Sequence, residues 1–444
     1  MLLLAGCGGE PAPRLFLLVS VDTLRADRLG AYGSDRGLTP RIDALARESE
    51  VFAAAYAPAS HTLPSVAALL TGRLPQEIGV VDNLSRLAPG VPTLAAELAS
   101  RGFSTGAVVS NWVLRRASGL DAGFAVYDDR LPQQETAREV PERIARDTTD
   151  AALGLVADCA AAPERRCLVW AHYQDPHGPY TPPGGGERHL ARERAEADGR
   201  RLLPILPGPF GAGGIPSYQA VAGEREVAFY RAGYDAEIAY LDGEVGRLLD
   251  GVHEQGLWDR AVVVFTADHG ESLGESDYWF GHGEDLTEVL VRVPLLLRVP
   301  GRAARERSDV ASLVDLRRTL LALATGEPGQ PGERGRDLLA AEAPQAASLP
   351  LLATLGGARI PRYGLVDGGF KYVAIRKGEA WQGHLYRRGD DATDLAAPAP
   401  HVARAMRSRL EQVLQGIPEP ARADERPVDA SERAHLRALG YLPE

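Results

Sequence analysis

The chain has 444 residues, of which 45% are apolar and 25% are charged, a composition typical of a globular protein with one large domain or two unequal ones. Its net charge of −11 and the lack of any basic run argue against a nucleic-acid-binding protein. No apolar stretch approaches the roughly 20 residues that a membrane-spanning helix needs.

The first residues end in Leu-Ala-Gly-Cys at Cys7 and continue into a stretch rich in glycine and proline. Small residues before such a cysteine resemble a bacterial lipoprotein signal, but a basic region and about 7–15 apolar residues are missing. Either the start codon is placed too late or the match is coincidental, and we favour the first. We therefore expect residues 1–14 to be a truncated signal and tether. The protein is then expected to be periplasmic or at the cell surface, with lipid on Cys7 as its membrane anchor.

Buried strands and short helices alternate in the next part of the chain. Residues 15–21 form a continuous apolar run, which is typical of a strand buried on both faces. A helix is predicted from Thr39-Pro40 onward and another over residues 93–100, and the run at 103–109 predicts a second strand. This alternation indicates a parallel sheet.

Residues 59–73 predict a strand-to-helix turn with a hydroxyl residue at its start. Pro64 suits the first helical position, and Gly72 ends the helix. Thr62 is therefore expected just outside a helix N-terminus, where free N–H groups and the helix dipole favour an anion. Taken alone, Thr62 would also be an ordinary N-cap residue.

The middle of the chain continues the pattern of helix and strand. A helix is predicted over residues 143–160 and a strand over 167–173, with Cys159 and Cys167 at the two ends of their connection. In an exported protein these cysteines are expected to form a disulfide worth about 2–3 kcal/mol, two unrelated thiols being the alternative. Residues 181–218 form a Pro-, Gly- and Arg-rich insertion of the kind that serves as a lid or substrate loop.

A long helix is predicted over residues 224–255, because apolar residues recur there at steps of three and four. Strands are predicted over 261–266 and 293–299, and the composition changes after the Gly- and Pro-rich residues 326–335.

The predicted fold class is α/β, with a doubly wound, mostly parallel sheet flanked by helices. We assign residues 15–335 to this catalytic domain and residues 336–444 to a smaller C-terminal α+β subdomain. The subdomain is expected to contain a hairpin over 363–373 and a helix over 402–414.

Charged side chains directly follow two of the buried strands. Asp22 follows the first strand, and Asp268 and His269 follow the strand at 261–266. Because the carboxyl ends of parallel strands meet in one crevice, we expect these side chains and Thr62 to lie together and bind one divalent metal. The imidazole favours zinc or manganese, with calcium and magnesium as alternatives. Asp22 alone would also fit a structural turn.

The residues around Thr62 resemble a known family signature. The motif reads Thr62-x-Pro64-Ser65-x-Ala67-Ala68-Leu69-Leu70-Thr71-Gly72. It is similar to the sulfatase signature of the alkaline-phosphatase superfamily, and the resemblance extends from about residue 15 to the C-terminus. In that signature a Cys or Ser matured to formylglycine stands first and an Arg follows Pro-Ser, whereas this chain has Thr62 and Val66. No formylglycine is expected, and Thr62 resembles the nucleophile of the phosphodiesterase and phosphoethanolamine-transferase branches.

The resemblance implies roles for further polar residues. His177 matches the histidine that contacts the ester anion, and Asp175 and His172 beside it are candidate substrate-binding residues. His282 matches the acid that protonates the leaving group, and Asn83 matches an asparagine that binds phosphate.

Two cations that bind sulfate in the family are missing from this chain. Val66 stands at the position of the Arg, and Asn111, a candidate substrate-binding residue, stands where sulfatases place a Lys. The resemblance therefore supports the fold and the metal site more strongly than it supports sulfate as the substrate.

We therefore predict a sulfatase-like metallohydrolase that cleaves sulfate or phosphate-type esters through a metal-activated Thr62. One alternative is a phosphodiesterase, phosphonate hydrolase or phosphoethanolamine-type transferase, and a second is a binding homologue without activity. The expected partner is a small-molecule, glycan or lipid ester and not a nucleic acid, and the sequence leaves the oligomeric state open.

Overall fold

The computed structural model describes most of the chain, namely residues 12–134, 141–196, 200–208, 210–327, 329, 333–340, 349–353, 362–377, 380–419 and 429–438. Cys7 lies outside the described residues, and so does the prediction of its lipid modification. No helix within these ranges combines the length and apolar character needed to cross a membrane.

The strands of the described residues are β1 (Leu15–Val21), β2 (Glu50–Tyr56), β3 (Ser104–Val109), β4 (Val126–Asp128), β5 (Gln133–Gln134), β6 (Pro141–Glu142), β7 (Cys167–Tyr173), β8 (Ile205–Leu206), β9 (Ile215–Pro216), β10 (Ala261–Ala267), β11 (Ser272–Leu273), β12 (Trp279–Gly281), β13 (Arg292–Val293), β14 (Leu295–Arg298), β15 (Arg305–Ser312), β16 (Leu349–Ala353), β17 (Arg362–Asp367), β18 (Phe370–Lys377) and β19 (Ala380–Arg387).

The α-helices of the same residues are α1 (Pro40–Ala46), α2 (Thr62–Thr71), α3 (Pro75–Ile78), α4 (Leu94–Ser100), α5 (Ala145–Ala161), α6 (Glu187–Glu196), α7 (Val227–Glu254), α8 (Glu288–Val291), α9 (Val314–Thr325), α10 (Pro400–Leu414) and α11 (Ala430–Ala438).

The central sheet is mostly parallel and brings the ends of its middle strands to one edge. Its strands lie in the order β2-β14-β10-β1-β7-β3-β4, and β13 and β15 also pair with β2. Strands β10, β1, β7, β3 and β4 run parallel, whereas β14 is antiparallel to β10. Ser20 of β1 is in register with both His172 of β7 and Thr266 of β10. The carboxyl ends of β10, β1 and β7 therefore coincide.

Helices flank this sheet in two groups. Helices α1, α5, α6 and α7 pack together, and α2, α4 and α9 form the second group. Every residue of β1, β7 and β10 is buried, as expected for strands covered on both faces. The predicted α/β class with a doubly wound, mostly parallel sheet is confirmed.

A second, antiparallel sheet follows in the order β16-β17-β18-β19, with α10 packed against β17, β18 and β19. It joins the first sheet close to Thr62, because Leu352 of β16 donates its N–H to the carbonyl of Pro58 over 2.9 Å. Helix α11 returns to the large core, where Leu436 is fully buried and the ring of His435 lies 4.7 Å from that of Trp112.

Three local elements differ from the sequence predictions. Helix α2 begins at Thr62 and not at Pro64, so Thr62 is the first helical residue and His61 is the N-cap. The insertion at 181–218 contains helix α6 and the short paired strands β8 and β9. The strand predicted at 293–299 is divided into β13 and β14 at Pro294, which has no N–H to donate to a neighbouring strand.

The predicted disulfide is confirmed. Cys159 near the end of α5 is bonded to Cys167 at the start of β7. The bridge holds a helix of one flanking layer against a central strand.

Candidate active site

Thr62 is fully buried at the start of α2, and its hydroxyl oxygen lies 3.3 Å from Nε2 of His269. Oδ1 of Asn83 accepts the N–H of Leu63 over 2.9 Å, which fixes the first turn of the helix. Nδ2 of Asn83 is buried and has no hydrogen-bond partner among the described residues. An unpaired amide donor thus lies at the same helix N-terminus as the Thr62 hydroxyl, an arrangement suited to an anion.

Three buried side chains converge beside Thr62. Single ligand atoms of Asp22, His172 and Asp268 all lie within 4.8 Å of one another. Oδ1 of Asp22, Nε2 of His172 and Oδ2 of Asp268 have no hydrogen-bond partner within the described parts of the chain. Buried polar atoms are rarely left unsatisfied, and these three fit the oxygen and imidazole ligands of a divalent cation.

His269 lies at the same cluster. Its Nε2 is 3.7 Å from Oδ1 of Asp22 and 3.7 Å from Oδ2 of Asp268, while its Nδ1 is 2.9 Å from the carbonyl of Gly270. The structure therefore brings together the four residues assigned to the metal from the sequence. It adds His172, which the sequence analysis had assigned to the substrate.

The orientation of His172 is fixed from behind. Its Nδ1 lies 2.9 Å from Oγ of Ser20, and this oxygen also accepts the indole N–H of Trp170 over 2.8 Å. Nε2 is consequently the nitrogen that faces the carboxylates. A second nitrogen held in this way is the usual arrangement for a metal-binding histidine.

The pKa values of Asp22 and Asp268 are shifted in opposite directions. Burial would raise the pKa of Asp22, but the imidazoles of His177, His172 and His269 lower it below its ordinary value. Burial, and after it the charge of Asp22, raises the pKa of Asp268 well above its ordinary value. Two buried carboxylates this close are both charged only when a cation lies between them, which supports the cation site.

Two predicted substrate-binding residues have other contacts. Asn111 donates its side-chain amide to Oδ2 of Asp22 and accepts the N–H of Val113 over 2.9 Å, so it supports a candidate metal ligand. Asp175 is hydrogen-bonded to Glu237 of α7, and burial raises its pKa to about 7. The substrate-side role implied for Asp175 is therefore not supported by its contacts.

His177 and His282 line one side of the cluster, with their ring centroids 5.2 Å apart. Nδ1 of His177 lies 2.9 Å from the carbonyl of Gly178, and the ring of His282 lies 4.5 Å from that of His269. Burial, followed by the neighbouring His269, lowers the pKa of His282 to about 3. In the free protein this histidine is therefore neutral.

Sequence reasoning missed two residues of the site. Glu271 is fully buried with Oε1 3.1 Å from Nδ1 of His282, and burial raises its pKa to about 7. His61 packs against Gly283, whose φ of +87° favours glycine and where an added Cβ would lie only 2.6 Å from Nε2 of His61. Proximity in sequence was the available signal, because His61 directly precedes Thr62 and Glu271 follows the Asp-His-Gly triplet.

Residues 14–326 match the family described as Sulfatase. The chain belongs to the sulfatase family. Among curated relatives, arylsulfatase A of Bos taurus is 28% identical over 459 aligned residues, which cover 94% of this chain and 83% of that protein. This protein is thus a sulfatase-family hydrolase that carries Thr62 and Val66 at two positions of the signature.

Solved structures of two hydrolases share the fold. A 2-O GAG sulfatase is 21% identical with a TM-score of 0.69, over 95% of this chain and 96% of that chain. The phosphonate monoester hydrolase of Silicibacter pomeroyi is 19% identical with a TM-score of 0.68, over 92% and 96% of the two chains. At these identities the likeness establishes the architecture alone.

Proposed function

We propose that this sulfatase-family hydrolase cleaves anionic esters of phosphorus or sulfur with Thr62 as its nucleophile. The observation that carries the proposal is the position of the Thr62 hydroxyl, 3.3 Å from Nε2 of His269 at the N-terminus of α2. A hydroxyl placed beside a metal cluster and at a helix N-terminus can attack an anionic centre whose charge both features stabilise.

Asp22, Asp268, His172 and His269 would hold the cation, with Thr62 as a further ligand. A divalent cation bound there would lower the pKa of the Thr62 hydroxyl and offset the negative charge of the ester. Two carboxylates with two imidazoles favour zinc or manganese over calcium, which prefers oxygen ligands alone.

The remaining steps fall to the chain's own groups. After losing its proton to solvent, Oγ of Thr62 bonds to phosphorus or sulfur while the bond to the leaving-group oxygen breaks. Nδ2 of Asn83 would contact the ester oxygens at the N-terminus of α2, and His177 would contact them as the family resemblance implies. His282 protonates the leaving group, because an anionic ester beside it favours the charged form of the imidazole. Water then hydrolyses the Thr62 ester.

The substrate preference follows from the missing cations. Val66 is buried in α2, and Asn111 is hydrogen-bonded to Asp22, so neither supplies a positive charge. A phosphodiester or phosphonate monoester is a monoanion with two terminal oxygens, whereas an aryl sulfate is a monoanion with three, so the former needs fewer contacts to its oxygens. We infer that such esters are turned over at least as fast as aryl sulfates.

The test is a substrate panel measured with metal-stripped protein that is reloaded with zinc, manganese or calcium. The test esters are the 4-nitrophenyl esters of sulfate, phosphate, methyl phosphate and phenylphosphonate. Because they share one leaving group, differences in rate report the preference for the phosphorus or sulfur centre alone. We expect activity with zinc or manganese and the highest kcat/KM on a diester or phosphonate. A clear preference for the sulfate would contradict the substrate assignment, and equal rates without added metal would contradict the metal assignment.

We further propose that the protein is exported and lipid-anchored through Cys7. The disulfide between Cys159 and Cys167 supports an oxidising compartment, because such bonds seldom persist in the cytosol. Fractionation of cells that express the protein from its natural gene should place it in the membrane fraction with both thiols oxidised. Release by Cys7→Ser is expected, and free thiols at 159 and 167 in the exported protein would contradict the proposal.

A further inference from the structure

His282 is held by a buried carboxylate that the reaction described above does not use. Oε1 of Glu271 lies 3.1 Å from Nδ1 of His282, and Glu271 is fully buried. With Nδ1 engaged, Nε2 is the nitrogen left for the substrate. A carboxylate or carbonyl on one ring nitrogen commonly fixes the orientation of a catalytic histidine.

The carboxylate is itself fixed by two residues that flank the insertion. The hydroxyl of Tyr180 donates to Oε2 of Glu271 over 3.0 Å, and Nε2 of Gln219 donates to the Tyr180 oxygen over 3.3 Å. Tyr180 and Gln219 are both buried and lie near the two ends of the insertion at 181–218. Each oxygen of Glu271 thus has a defined partner, Tyr180 for Oε2 and His282 for Oε1.

The hydrogen bond at Nδ1 sets the angle of the His282 ring. His282 follows β12 in a stretch without helix or strand, and its backbone carbonyl accepts the hydroxyl of Tyr278 over 2.9 Å. Its ring also contacts two other imidazoles, with the centroid of His269 at 4.5 Å and that of His177 at 5.2 Å. Ring contacts of this kind do not fix the rotation of the ring about its Cβ–Cγ bond, whereas a hydrogen bond at Nδ1 does.

We propose that Glu271 is a positioning residue that directs Nε2 of His282 to the leaving-group oxygen. The inference rests on the proposed function of His282. In this step the leaving oxygen keeps the electron pair of the broken bond and takes the proton of Nε2. The water that attacks the Thr62 ester later returns a proton to Nε2, so the cycle closes.

The test compares two esters that transfer the same phosphorus or sulfur group and differ in the leaving group, which is 4-nitrophenol in one and phenol in the other. A good leaving group needs little protonation, so a defect in proton delivery appears mainly on the phenyl ester. Glu271→Gln should lower kcat/KM by about 10²-fold on the phenyl ester and by less than about tenfold on the nitrophenyl ester. Glu271→Asp should recover part of the loss, and Glu271→Gln added to His282→Ala should cost nothing further.

Glu275→Gln is the matched control, because Glu275 lies on the same loop but pairs with Arg25. It should leave the ratio of the two esters unchanged. Metal content and the unfolding midpoint of each variant report folding, and Tyr180→Phe provides a milder perturbation if Glu271→Gln is unstable. Equal losses on both esters, or no loss on the phenyl ester, would overturn the proposal. Activity of Thr62→Ala would instead overturn the proposed function, so the two failures are distinguishable.

Discussion

The hydroxyl of Thr62 and Nε2 of His269 lie 3.3 Å apart although the residues are 207 positions apart in the chain. Thr62 opens helix α2, and His269 follows strand β10. Their contact places the Thr62 hydroxyl beside an imidazole whose Nε2 is 3.7 Å from Oδ1 of Asp22 and 3.7 Å from Oδ2 of Asp268. The first prediction follows from this contact.

Thr62→Ala should abolish turnover while the protein stays folded, because the hydroxyl caps no helix N–H in the structure and the change removes only this hydroxyl and one methyl group. Thr62→Ser should retain measurable activity, since its oxygen keeps the same reach. Steady-state rates, with the unfolding midpoint as the folding control, check both outcomes. Full activity of Thr62→Ala would remove the covalent mechanism.

The second prediction concerns the support of His172. Ser20→Ala removes the oxygen beside Nδ1 of His172 and leaves the indole N–H of Trp170 without its partner. We expect zinc affinity to fall by about 10–100-fold, the usual effect of losing such a supporting contact. Titration of zinc into the stripped protein measures this change. Ser110→Ala is the control, because Ser110 is equally buried but contacts Thr148. Equal affinity for the two variants would argue against His172 as a ligand.

The sequence was sufficient for the elements whose patterns are local. The apolar run of β1 predicts a doubly covered strand, and Asp22, Asp268 and His269 could be grouped because each directly follows such a strand. His172 could not be assigned to the metal in this way, since its role depends on the register of β7 against β1 and on the contact between its Nδ1 and Ser20.

Pairs distant in sequence were likewise beyond prediction. Asp175 lies between His172 and His177 in sequence, but its partner Glu237 lies on α7, more than 60 positions later. The role of Glu271 depends on a loop that brings His282 back to it. Neither pairing leaves a periodic pattern that a single sequence can reveal.

The third prediction addresses Lys371, one of only two lysines in the chain, which is fully buried in β18. Its Nζ lies 2.6 Å from Asp391, 3.2 Å from Glu288 and 2.9 Å from the carbonyl of Leu286. Lys371→Met would leave the buried Glu288 and the half-buried Asp391 without their cation and should cost about 3–5 kcal/mol in the free energy of unfolding.

Urea unfolding measures this loss against Arg409→Ala. Arg409 is half exposed and lies 3.7 Å from Asp367, so its removal should cost about 1 kcal/mol or less. Similar costs for the two variants would show that the buried ion pairs of Lys371 do not hold the second sheet to the catalytic domain.

The last prediction concerns the pH dependence of stability at the Asp175–Glu237 pair. Burial raises the pKa of Asp175 from 3.8 to about 7 and raises that of Glu237 well above its ordinary value. The folded protein therefore binds protons that the unfolded chain releases. This contribution to stability is complete below about pH 4 and is lost as the pH rises through about 7.

Asp175→Asn keeps a hydrogen-bonding amide and removes one titrating group, so its urea midpoint should fall less between pH 5 and pH 8 than that of the wild type. Asp250 lies on the same helix as Glu237 and forms an exposed ion pair with Arg41 of α1. Asp250→Asn should therefore keep the wild-type slope. The same fall for Asp175→Asn and the wild type would show that the pair does not control the pH dependence.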